Sequence, residues 1–219
     1  FMIALTGSQH MKAIASRLAI ALLLVLPTPW LALGQVVANR EAVPEEVDQA
    51  KSTKLINEVY GSELAKARTS SEKQALAKKL FERAGKTSDD PVSQYVLLKL
   101  VIDYSIQSSD MQRTFQAIGL MEEKFEVDAT ELKATALAEL ASTTKKPALN
   151  KSYAEEAIKL VDLAVRQGNF TVADAIGKLA LAEAQKARAK DLIAVAKSKI
   201  AEAAEMNQIS GEVNTARLV

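Results

Sequence analysis

Adjacent carboxylates recur along the chain at Glu45-Glu46, Asp89-Asp90, Glu122-Glu123 and Glu155-Glu156. Paired carboxylates can perform glycoside hydrolysis when they face each other across a cleft and one keeps its proton. Neighbours on one helix point in different directions, so these pairs read as solvated faces and helix caps. Lys186, Arg188, Lys190, Lys197 and Lys199 form the densest basic run. At helical spacing Lys186, Lys190 and Lys197 share a face. Glu183 and Asp191 dilute the run and no aromatic residue interleaves to stack on bases, so a nucleic-acid partner is not expected.

Other chemistries lack their parts. The 219 residues hold no Cys, which excludes disulfides, thiolate zinc and thiol catalysis. The single His and single Trp are His10 and Trp30. No calcium loop, Walker loop, nucleophile elbow or H-E-x-x-H helix is present. No cofactor, metal or catalytic residue is therefore assigned. Asn150-Lys151-Ser152 and Asn169-Phe170-Thr171 match the glycosylation sequon and read as chance occurrences.

The N-terminus reads as a secretory signal peptide starting at Met11. Lys12 and Arg17 precede an apolar run from Leu18 to Leu26, and Ala32 and Gly34 offer small residues to a peptidase. Cleavage is expected after Gly34, with Ala38 as the alternative site. An uncleaved anchor is disfavoured, because the run falls well short of the ~20 residues of a membrane span. The exported part, periplasmic or extracellular, then has neither His nor Trp, and its charge is close to balanced. Residues 1–34 are leader, 35–43 a linker, 44–208 a helical-repeat domain and 209–219 the start of a further segment of a longer protein.

The elements beyond the linker follow helical punctuation. Pro44 opens a helix with Val47, Leu55, Ile56 and Val59 as its apolar stripe and Gly61 as its stop. Thr69-Ser70-Ser71-Glu72 has capping-box spacing. Asp90-Pro91 starts a helix apolar on nearly every side, which belongs in the middle of a domain. Within it Lys99 and Asp103 stand four apart and are expected to pair. Asp110, Asp128 and Pro147 begin further helices; others carry Phe170 to Ala184 and Leu192 to Ile200. No strand-type alternation separates them. The expected class is all-α, built of antiparallel hairpins stacked as a short solenoid. Alanine between Ala173 and Ala204 favours close helix approach.

The turn Ser109-Asp110-Met111 aligns with Gly168-Asn169-Phe170, and around it Val101, Ile102, Asp103, Ile106 and Leu120 align with Leu160, Val161, Asp162, Val165 and Leu179. Leu160, Gly168-x-Phe170, Ala173 and Ala180 resemble a tetratricopeptide repeat. Gly177 stands where that family has an aromatic residue, no Pro closes the second helix, and the period differs from its 34 residues. V-P-E-E-V, K-L-I-N-E-V-Y-G and S-D-D-P-V-S-Q-Y-V-L-L-K resemble the N-terminal helical module of large uncharacterised exported bacterial proteins. There it precedes other domains, such as sulfatase-modifying-factor-like or lectin-like ones.

The resulting expectation is a non-catalytic module for protein–protein interaction or domain spacing, with a protein or peptide partner. The alternatives are a polysaccharide hydrolase using Asp and Glu carboxylates, or an accessory region of a downstream catalytic domain.

Overall fold

A computed structural model describes residues 40–144 and 146–216. The leader, Gly34 and Ala38 lie outside the described residues. Eight helices follow one another: α1 (Glu46–Lys66), α2 (Ser70–Ala84), α3 (Pro91–Gln107), α4 (Met111–Lys124), α5 (Ala129–Thr143), α6 (Pro147–Arg166), α7 (Phe170–Lys186) and α8 (Lys190–Ala216). Among the described residues there is no strand. None of these helices is long and apolar enough to cross a membrane.

Local side-chain chemistry sets most of the helix starts. At α2 the Thr69 hydroxyl accepts from the Glu72 amide at 3.2 Å while the Glu72 carboxylate accepts from the Thr69 amide at 2.8 Å, a complete capping box. Those bonds hold the Glu72 pKa below its usual value. Asp90, Asp110 and Asp128 accept amides of the first turns of α3, α4 and α5. Each satisfies N–H groups that the helix leaves unpaired, worth about 1 kcal/mol apiece.

One turn geometry occurs three times. The α3–α4, α6–α7 and α7–α8 connections each hold one residue at positive φ: Ser109 (60°), Gly168 (74°) and Arg188 (55°). In each, the next amide returns to a carbonyl five residues back, Asp110 to Ser105, Asn169 to Ala164 and Ala189 to Ala184. This is the Schellman closure, which satisfies the last carbonyls of the first helix. Gly168 has open space around its missing Cβ, so only backbone conformation resists a side chain there. Gly168→Ala is expected to lower stability by about 1 kcal/mol, read as a shift in the urea midpoint.

Each helix packs on its sequence neighbour and in most cases on the next but one. This layout is compatible with a helical repeat. α3, α5 and α7 lie side by side, with starts roughly 40 residues apart. The sequence alignment instead sets α3–α4 against α6–α7, out of step with these side-by-side helices. The shared signal there is the turn, which recurs at different stages of the stack. α3 touches α1, α2, α4 and α5, and Leu98 and Val101 are fully buried, which explains its all-round apolar sequence. Two apolar clusters result. One joins α1–α4 around Leu80, Leu98 and Phe125; the other gathers Leu137, Leu140, Tyr153, Val161 and Ile176.

Glu41, placed in a linker, forms a bridge with Phe125; its amide donates to the Lys124 carbonyl at 2.8 Å and its carbonyl accepts from Glu126 at 2.8 Å. The structure departs from the sequence expectation in α1. α1 runs through Gly61 to Lys66, because one glycine costs a helix only about 1 kcal/mol. Of its expected stripe only Ile56 is buried, while Val47, Leu55 and Val59 are exposed. α1 lies across the α2–α3 hairpin, touching α3 through Ser52–Ser93 and α2 through Glu63–Lys79, so a narrower face is covered. α8 continues unbroken across the expected division at 208/209.

Candidate functional site

The adjacent carboxylates are dispersed by the fold into local duties. Glu45 and Glu46 stand at the start of α1 and Asp90 caps α3. Glu155 and Glu156 meet Lys151 at 3.8 Å and Lys159 at 2.9 Å along α6. Such exposed pairs contribute at most a few tenths of a kcal/mol each.

The basic run is also broken up. Lys186 ends α7 and Lys190 begins α8, with a turn between them, so Lys190 and Lys197 share a face of α8 while Lys186 belongs to another helix. Lys186 pairs with Glu183, and Lys199 bridges Asp162 at 2.7 Å and Glu202 at 2.8 Å. Asn169 is the cap of α7, accepting from the Val172 amide at 3.3 Å. Asn150 sits within α6, half-buried.

The Lys99–Asp103 pair expected on α3 does not form. Lys99 reaches instead to the Gln49 side chain of α1 at 3.1 Å and lies 5.9 Å from the centre of the Tyr95 ring. A Lys placed N-terminal to its acid is the weaker arrangement on a helix, and α1 supplies a competing acceptor. Asp103 remains open to solvent, yet crowding by neighbouring atoms raises its pKa, Lys99 opposes the rise, and the Glu139 charge on α5 adds to it.

This cross-helix pair of carboxylates was invisible in the sequence, because its members lie on different helices and neither stands in a motif. A carboxyl whose folded pKa exceeds its unfolded value makes the fold less stable as pH rises through the interval between them. Asp103→Asn is therefore expected to raise the unfolding temperature at pH 7 and to leave it unchanged at pH 3, measured by circular dichroism.

Among the described residues several surface grooves offer themselves to ligands, and three of them lie between helices as follows. Between α5 and α7 a groove of about 270 Å3 is lined by Ala134, Thr135, Ala138, Val172, Ala175, Ile176 and Leu179, with Glu131 beside them. It forms because alanines leave room between two side-by-side helices. A second groove, about 420 Å3, opens between α4 and α6, which do not touch; Met111 and Phe115 line it opposite Glu156. The third, about 430 Å3, follows the crossing of α1 over the α2–α3 hairpin. Sequence reasoning located none of them, since each depends on how helices cross rather than on spacing within one helix.

Among the described residues no three His, Cys, Asp or Glu side chains gather as a metal site. Taken together, the geometry offers clefts of the size of side chains and short peptides, lined mainly by small and apolar groups. No protein-family model matches the chain, and no curated protein or solved structure gives a match.

Proposed function

We propose that the chain is an exported, non-catalytic helical-repeat module of tetratricopeptide-like kind that binds a protein or peptide partner. The observation that carries this reading is the apolar α5/α7 groove on a stack whose helices pack only on near neighbours in sequence. Stacking of that kind holds grooves between successive hairpins at fixed spacing, which suits docking of an extended or helical segment. The charge-dispersed surface and the leader read from Met11 to Gly34 agree with a binding role outside the cytoplasm.

The test uses a photo-reactive residue at Ala175, exposed in the groove, during incubation with an extracytoplasmic extract. One dominant adduct is expected, and Ala138→Glu on the facing wall should suppress it while helical content stays unchanged. Absence of any adduct would replace partner binding with domain spacing.

A second reading takes as its proton donor the Asp103 carboxyl, whose pKa desolvation raises and the Glu139 charge raises further. As a polysaccharide hydrolase the chain would release reducing sugar, and Asp103→Asn would stop it. Turnover that survives this change would dismiss the pair.

A further inference from the structure

The groove at the α1 crossing carries an uncommitted cation, where the α5/α7 groove has the Glu131 carboxylate beside it. Leu55 and Val59 form its α1 wall at 59% and 70% exposed, with Leu97 of α3 opposite. Its polar groups are mostly spent. The Asp90 carboxylate accepts the Ser93 amide at 3.0 Å as the cap of α3. The Thr87 hydroxyl donates to the Arg83 carbonyl at 2.8 Å. The Ser93 hydroxyl lies 3.0 Å from the Ser52 hydroxyl and also bonds the Asp90 carboxylate, which helps hold the Asp90 pKa below its usual value. Arg83 is different: its backbone carbonyl is engaged, but its guanidinium has no hydrogen bond or ion pair with any described residue. It lines the groove together with Leu55, Val59 and Leu97, its planar fork unused.

We propose that this groove holds the C-terminal end of an apolar peptide, with the terminal carboxylate on the Arg83 guanidinium and the last side chains against Leu55 and Val59. The proposal rests on the reading of the chain as a peptide-binding module and adds which end of the peptide is read. One guanidinium fork matches one carboxylate through two parallel hydrogen bonds. The trough is open along its length, so a fatty acid would leave much of its chain in water. A peptide backbone tolerates that exposure, and its N–H groups meet the remaining acceptor capacity of the Thr87 and Ser93 hydroxyls. About 430 Å3 accommodates roughly the last three residues.

The probe is a fluorescein-labelled heptapeptide pool whose last three positions are drawn from Leu, Val and Ile, made as free acid and as C-terminal amide. Fluorescence anisotropy with the purified chain should show the acid binding at least ~10-fold tighter than the amide, an increment one charge-assisted pair supplies. Arg83→Gln should bring the acid down to the amide, and Val59→Glu should remove both; both positions are exposed, so helical content should hold. Equal binding of acid and amide, an unaltered preference in Arg83→Gln, or no binding at millimolar peptide would overturn the site. Displacement of the peptide by equimolar dodecanoate would reassign it to fatty acids. Loss of this discrimination while the Ala175 adduct persists would retire the Arg83 groove alone and leave the module's binding role standing.

Discussion

Gly177→Leu is expected to cost about 3 kcal/mol of folding stability. Gly177 is buried on α7, and a Cβ added there would lie 2.7 Å from Ile200 Cγ1 of α8, with the Ile200 Cα only 3.8 Å away. The helices therefore meet backbone to side chain at this level, and a leucine must drive them apart along their contact. The same close approach leaves room at this position for little more than glycine.

Gly177→Ala is the milder case. Replacing a helical glycine gains about 1 kcal/mol, which offsets much of the small displacement that the flexible Ile200 side chain must make. Ile200→Ala opens room, so Gly177→Leu combined with Ile200→Ala should recover at least half of the loss. Urea midpoints of the two single variants and the double variant measure the coupling. Additive losses would show that α7 and α8 do not meet at Gly177.

Lys186→Ala is expected to destabilise by a similar amount, about 3 kcal/mol, although Lys186 itself is half in solvent. Its partner decides the outcome. Glu183 is 1% exposed, its Oε1 bonds Lys186 Nζ at 2.5 Å, and its Oε2 has no partner among the described residues. Tyr153 is fully buried on α6. Burial raises the Tyr153 pKa, the Thr144 and Ser109 hydroxyls counter it, and the negative charge of Glu183 adds to the rise.

Removing the lysine leaves a carboxylate in the core with no compensating cation. Removing the carboxylate removes the problem, so Glu183→Met should be neutral or stabilising by about 1 kcal/mol. The double variant should then resemble Glu183→Met alone. Thermal unfolding at pH 7 separates these outcomes, and a Lys186→Ala variant as stable as the parent would show that water reaches Glu183.

Reading the residues in order located most helix starts and few of the surfaces. Thr69, Asp90, Asp110, Asp128 and Pro147 marked their helices because capping acts within one turn, at a range where sequence spacing and spatial distance agree. The turn at Gly168 was legible for the same reason, since glycine announces a positive φ. Arg188 adopts the same conformation without any signal, because the packing of α7 on α8 imposes it against the residue's own preference. Stripes were legible only in part. Periodicity says that a face is apolar but not how wide a neighbour will cover it, so Leu55 and Val59 were assigned to a core they do not enter.

The candidate site was the least legible feature. The Arg83 groove draws on α1, α2 and α3, the α5/α7 groove on helices separated by a whole α6, and Asp103 feels the Glu139 charge from another helix. What the linear order determined was the all-α class, the capped starts and the missing reactive residue types, all properties of composition or of contacts a few residues long. What only the tertiary structure decided was which apolar faces stay open, which charges stay unpaired and where the grooves run. These depend on crossing geometry and on competition among partners far apart in the chain, as when Gln49 rather than Asp103 takes the Lys99 ammonium.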